Sequence, residues 1–157
     1  MRVQDFLVFE TKRATEAFFE TARKVPADKL EWSPLDSGRT VLSQAQECAM
    51  SPTWATSIIA AGKFDWDEAK MEKVKAEQES WKTLDDCEAA CAKNAAQLIE
   101  LIEGMPDGRL EETIEIPVGK DPKWRIVDLL HLQIWNLHYH TGQVNYIQTL
   151  YGDKSMG

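Results

Sequence analysis

No apolar run in this 157-residue chain approaches the roughly 20 residues that a helix needs to cross a bilayer. The opening MRVQDFLVFE is too polar for a secretory signal. Cysteine is scarce and odd in number, and Cys48, Cys87 and Cys91 suit reduced thiols better than a disulfide framework. Basic charge is outweighed, with 26 Asp and Glu against 18 Lys and Arg. The resulting net charge of -8 and pI near 4.9 argue against a nucleic-acid or anionic-membrane surface. Also missing are a Gly-rich phosphate loop, HExxH, a paired-cysteine zinc arrangement and a serine in a nucleophile elbow. The chain has no internal repeat, low-complexity tract or linker. These absences predict one soluble, cytoplasmic domain over residues 1–157, with a small molecule or another protein as its partner.

What is present is helical periodicity. Phe6, Leu7, Phe9, Ala14, Ala17, Phe18 and Ala22 recur at three-and-four spacing and predict a first helix over Val3 to Val25, stopped by Pro26. Trp32, in the connection that follows, is the kind of side chain that pins a loop onto a core. Thr40 is a suitable N-cap for a second helix ending near Gly62, with Pro52 as a kink inside it. Val41, Ala45, Cys48, Ala49 and Ile59 fit its buried face.

The charged stretch Glu68 to Trp81 predicts a short surface helix. Thr83 caps a further long helix over Leu84 to Glu103, terminated by Gly104 and Pro106. Cys87 and Cys91 fall on its apolar stripe, where core packing is a simpler reading than a soft-metal or redox pair. EETIEIP alternates in the manner of a short strand, either paired in a small hairpin or lying extended across the bundle, and Lys120 to Trp124 turns into the last helix, Ile126 to Tyr151. The fold class is all-α: an antiparallel four-helix bundle with a long crossover and a short extended segment near 112–117.

The last helix carries all three histidines. Leu129, Leu130, Leu137, Val144, Ile147 and Tyr151 share one face, interrupted by Gln133, Asn136, His140 and Gln143, which must find polar partners there. His131 and His138 fall on the other side, with Gly142 and Asn145. The histidines are separated by seven, two and nine positions, so no two readily chelate one ion from a straight helix. On the second helix, periodicity puts Glu47 at an edge, toward Gln44, Ser51, Trp54 and Ile58, and the plain reading is a solvated carboxylate.

WNLHYHTGQVNYIQTLYGD, with WSPLDSGRTVLSQAQECAMSPTW near the front, resembles the DinB-like (DinB/YfiT) superfamily of metal-associated four-helix bundles over nearly the whole chain. H-T-G-Q is similar to that family's H-R-G-Q. The resemblance implies a divalent ion held by one histidine of helix two and two histidines one turn apart on the last helix. His140 matches the second of that last pair, whereas Asn136 and Glu47 stand at the other two positions.

Two outcomes follow from this set. Glu47, Asn136 and His140 would hold a zinc, nickel or manganese ion weakly, with an oxygen-rich set favouring the harder metals. Alternatively, they form a metal-free polar network, with Glu47 turned inward to accept from His140. The first outcome implies a thiol-dependent transferase or a hydrolase acting on a small molecule, in which the ion lowers the pKa of a bound thiol or water. The second implies a non-catalytic, stress-associated binding bundle. Trp54, Trp135 and Tyr139 are candidate pocket residues whose plainer role is core packing. The resemblance further implies a homodimer.

Overall fold

The computed structural model of the protein describes residues 1–117 and 121–153. Six α-helices and one small hairpin are present among them. They are α1 (Val3–Arg23), α2 (Val41–Met50), α3 (Pro52–Ala61), α4 (Glu68–Ser80), α5 (Leu84–Glu103), β1 (Thr113–Glu115), β2 (Lys123–Arg125) and α6 (Ile126–Leu150). Four long rods make the bundle: α1, the broken rod α2–α3, α5 and α6. No helix among the described residues is long and apolar enough to cross a membrane. The single-domain expectation extends over 118–120 and 154–157, which lie outside the described residues.

Side-chain contacts fix the directions of the rods. Arg23 at the end of α1 reaches Asp85 and Glu88 at the start of α5, and Gln4 at the start of α1 donates to Met105 O at 2.9 Å beyond the end of α5. Those two helices therefore run in opposite directions. Cys91 and Asn94 of α5 follow Cys48 and Ala49 in the same order along the chain, so α2–α3 and α5 run together. The crossover containing α4 makes that possible, since a direct turn would reverse the chain. Capped by Asp67, α4 packs along α2 and has no buried residue.

Helix α1 ends two residues before the predicted Val25, and its face is rotated. Leu7, Ala14, Phe18 and Ala22 are buried as expected, but Phe6 and Phe9 are exposed. Gln4 and Thr11 occupy the buried stripe instead. Gln4 earns its place by capping the α5 terminus through Met105 O and Asp107. Phe9 lies at the surface under the Arg13 guanidinium, 5.9 Å from its ring centroid.

The extended segment near 112–117 is half of an antiparallel ladder, Thr113–Arg125, Ile114–Trp124 and Glu115–Lys123. Of the two expectations for this segment the hairpin is the one realised; its partner β2 falls in the stretch read as a turn, of which Lys120 lies outside the described residues. Ile114 and Ile116 are buried, which holds the hairpin against the bundle.

Candidate functional site

Proline governs the local structure of the second rod. Pro52 has no N–H to give the carbonyl four residues back, so the Cys48 oxygen loses its intrahelical donor. The rod breaks at Ser51 into α2 and α3. Two side chains supply the missing donation to Cys48 O, Gln133 Nε2 at 3.1 Å and Cys91 Sγ at 3.6 Å, with Ser51 Oγ 3.4 Å away. Gln133 Oε1 in turn accepts from Ser51 Oγ, and Asn94 Nδ2 donates to Ala49 O at 2.9 Å. Gln133 is thus a buried polar residue with a structural purpose.

All three cysteines are free and fully buried. Burial pushes the thiols of Cys87 and Cys91 up to about 12, and that of Cys48 well above its ordinary value. They are packing residues in a dry core.

Two turns further along the same face of α6 the polar cluster changes character. His140 is 1% exposed, and its Nε2 donates to Glu47 Oε1 at 3.1 Å. The other carboxylate oxygen of Glu47 accepts from Arg39 Nη1 at 2.5 Å. Nδ1 of the imidazole faces two amide oxygens, Gln143 Oε1 at 2.7 Å and Gln44 Oε1 at 3.2 Å. Gln44 is held by its own bond to Arg39 O at 3.4 Å. The hydrogen bond from His140 is the largest cause holding the Glu47 carboxyl at about 2, from an ordinary 4.5; burial opposes it, and Arg39 adds to the lowering.

Arg39 owes its position to an unusual turn. Leu35 and Asp36 both have positive φ, 54° and 59°, a left-handed pair without glycine. Gly38 closes the turn where a Cβ would sit 2.8 Å from Pro34 O. Thr40 then caps α2, its Oγ1 accepting from Ser43 N at 3.0 Å. The turn and the C-terminal half of α6 border a groove of about 550 Å³ into which Arg39, Gln44 and Gln143 reach, with Tyr139 and Tyr146 opposite Leu35.

Of the three candidate ligands, the structure brings together Glu47 and His140. Asn136 is buried, but its Nδ2 points to Cys48 Sγ at 3.9 Å, and among the described residues no hydrogen bond joins it to either of the others. His131 and His138 are exposed, as periodicity predicted. Glu47 is 29% exposed, intermediate between the solvated and the inward readings. Sequence reasoning missed Arg39, whose only signal was its place just before the Thr40 cap, eight residues from Glu47. Trp135 and Tyr139 are exposed and stack on each other at 5.3 Å, while Trp32 packs edge-on against Tyr151 at 6.2 Å.

The donor set does not fit a resident divalent ion. One imidazole and one carboxylate meet, the carboxylate is already matched by a guanidinium, and the third candidate is turned away. No group of three or more His, Cys, Asp or Glu side chains among the described residues could hold a metal.

No protein-family profile matches this sequence, and no curated protein does. Solved structures do share the fold. YfiT from Bacillus subtilis, described as a probable metal-dependent hydrolase with an unusual four-helix bundle topology, superposes with a TM-score of 0.75 at 14% identity. That match covers 95% of this chain and 87% of YfiT. YjoA, a DinB-like protein also from Bacillus subtilis, superposes with a TM-score of 0.64 at 14% identity, over 96% of this chain and 95% of its own. At that identity the likeness is one of fold.

Proposed function

We propose that this chain is a metal-independent, non-catalytic binding bundle on the DinB-like scaffold. In this reading Arg39, Glu47 and His140 form a closed polar network, of which Arg39 lines the groove beside α6, and the groove takes a small polar molecule. One observation carries it: both oxygens of Glu47 are engaged by protein groups, Arg39 Nη1 on one and His140 Nε2 on the other. A cation bound there would have to displace a hydrogen-bonded imidazole and sit beside a guanidinium, against both bonding and charge. Gln44 and Gln143 hold the opposite edge of the ring, so His140 is fixed from both sides.

The test is metal analysis of untagged protein from cells supplied with zinc, nickel and manganese, wild type beside His140→Ala. The expected result is no stoichiometric metal in either. A full equivalent in wild type, lost in His140→Ala, overturns the reading in favour of a metal-dependent enzyme. That second reading is supported by the fold shared with YfiT. It would include hydrolysis or, at its most specific, transfer of a thiol, both of which need the ion.

The proposal includes a homodimer acting in the cytoplasm. The exposed, stacked Trp135 and Tyr139 support the dimer, since aromatic side chains left at the surface are favoured at interfaces. Three buried, unpaired thiols support the reducing compartment. Sedimentation velocity of the full chain, with one species of twice the chain mass expected, checks the assembly.

A further inference from the structure

A second cavity lies away from the His140 network, and nothing in the proposed function uses it. It holds about 360 Å³, within the range of small-molecule sites, between α3, the crossover, the hairpin and α6. Trp54 and Ile58 form one wall, Phe64 and Trp66 of the crossover a second, Trp124 of β2 a third and Leu129 of α6 the floor. No polar atom faces it.

We propose that this cavity binds a neutral, apolar small molecule with an aromatic ring system. A charged or sugar-like ligand is disfavoured because it would give up its hydration against a wholly apolar exposed lining; Trp54 Nε1, a donor without a protein partner, is itself buried behind that surface. The aromatic preference comes from the walls themselves. Trp54 and Trp66 meet edge-on at 5.6 Å and 62°, and Phe64 stacks along Trp66 at 6.5 Å and 19°, so ring faces and ring edges are both offered to a planar guest. Trp54, Phe64, Trp66 and Trp124 are all only half-buried, a concentration of large side chains incompletely covered at one concavity.

The site is built rather than a flat patch, since its lining comes from four separate elements. Met71, on the helix that has no buried residue, also lines the cavity and is half exposed. Leu129 and Leu132 precede His140 by eleven and eight residues, roughly 12–16 Å along the helix. The two sites are therefore separable by mutation.

Titration of the full chain with N-phenyl-1-naphthylamine, a neutral fluorescent aromatic, tests the proposal. The expected result is saturable one-to-one binding with energy transfer from tryptophan, weakened at least tenfold by Leu132→Glu. Met71→Glu, at an exposed edge position where folding is not at stake, should weaken it in the same direction. His140→Ala and Tyr139→Ala should leave it unchanged, so the outcome is independent of what the groove binds. Non-saturating uptake, or equal affinity in wild type and Met71→Glu, overturns the proposal.

Discussion

The two polar clusters on the inner face of α6 sit seven residues apart and are built for different ends. Around Gln133 the partners are one backbone carbonyl, a serine and a thiol, all neutral, and the arrangement repairs what Pro52 removed from the second rod. Around His140 the partners are side chains, two of them ionic, and the cluster touches a groove. Both clusters contain a polar residue only 1% exposed. Burial of a polar group is therefore no guide to function by itself; the nature of its partners is.

That contrast can be broken or sharpened by mutation, and the largest effect should fall on the charged cluster. His140→Ala leaves Glu47 with Arg39 as its remaining partner and empties a ring position that is 1% exposed, and a loss of about 3 kcal/mol is expected in denaturant unfolding, from the lost hydrogen bonds and the cavity together. A loss below about 0.5 kcal/mol would mean that water replaces the ring without penalty, leaving the cluster no role in the fold.

Gln133→Leu should cost about 2 kcal/mol, because Cys48 O and Ser51 Oγ both lose a buried partner. Here the comparison has a distinctive readout. Pro52→Ala restores an N–H where Cys48 O needs one, so the double variant should be more stable than the sum of the two single changes predicts. Strict additivity would sink the assignment of Gln133 to the proline break.

The most gradual effect is one of pH. The Glu47 carboxyl lies at about 2 in the folded chain against an ordinary 4.5, so the folded state binds its proton less readily than the unfolded state. The stabilisation is fully present above pH 4.5 and is lost as pH falls through that window toward 2. It amounts to something on the order of 2 kcal/mol after allowing for the exposed part of the carboxylate. Urea unfolding of wild type and Glu47→Gln at a series of pH values should show the gap between them closing across that interval. A gap that stays constant would show that Glu47 makes no charge-dependent contribution.

The bundle was legible because its signals are repeated many times along each helix. Leu129, Leu130, Leu137, Val144 and Ile147 agree on one face of α6, and Thr40, Pro52 and Gly62 punctuate the second rod at the positions where the chain begins, breaks and ends it. Signals given only once were less secure. Phe6 and Phe9 looked like core residues by type, but the phase of α1 is set by Leu7, Ala14, Phe18 and Ala22 and by Gln4, which is needed at the end of α5. β2 is three residues long with a charged residue at either end, too short for alternation to register.

At the candidate site, the inward histidine and Gln143 lay on one face of α6 and could be placed by period, whereas Gln44, grouped by period with Glu47 at the edge of its helix, is fully buried. Glu47 sat at the edge of its face, and the contact with His140 depends on how α2 and α6 cross. Arg39 was out of reach for a different reason: it leaves a turn in which Leu35 and Asp36 adopt left-handed conformations, and neither residue type announces that geometry the way glycine does.

The crossover helix gives the molecule a division of labour in time as well as in space. A segment of 13 residues that buries no side chain has little to lose by opening, so its amides should exchange with solvent through brief local fraying, while those of α5 and α6 exchange only when the bundle itself unfolds. The segment expected to open first thus borders the aromatic cavity, through Met71.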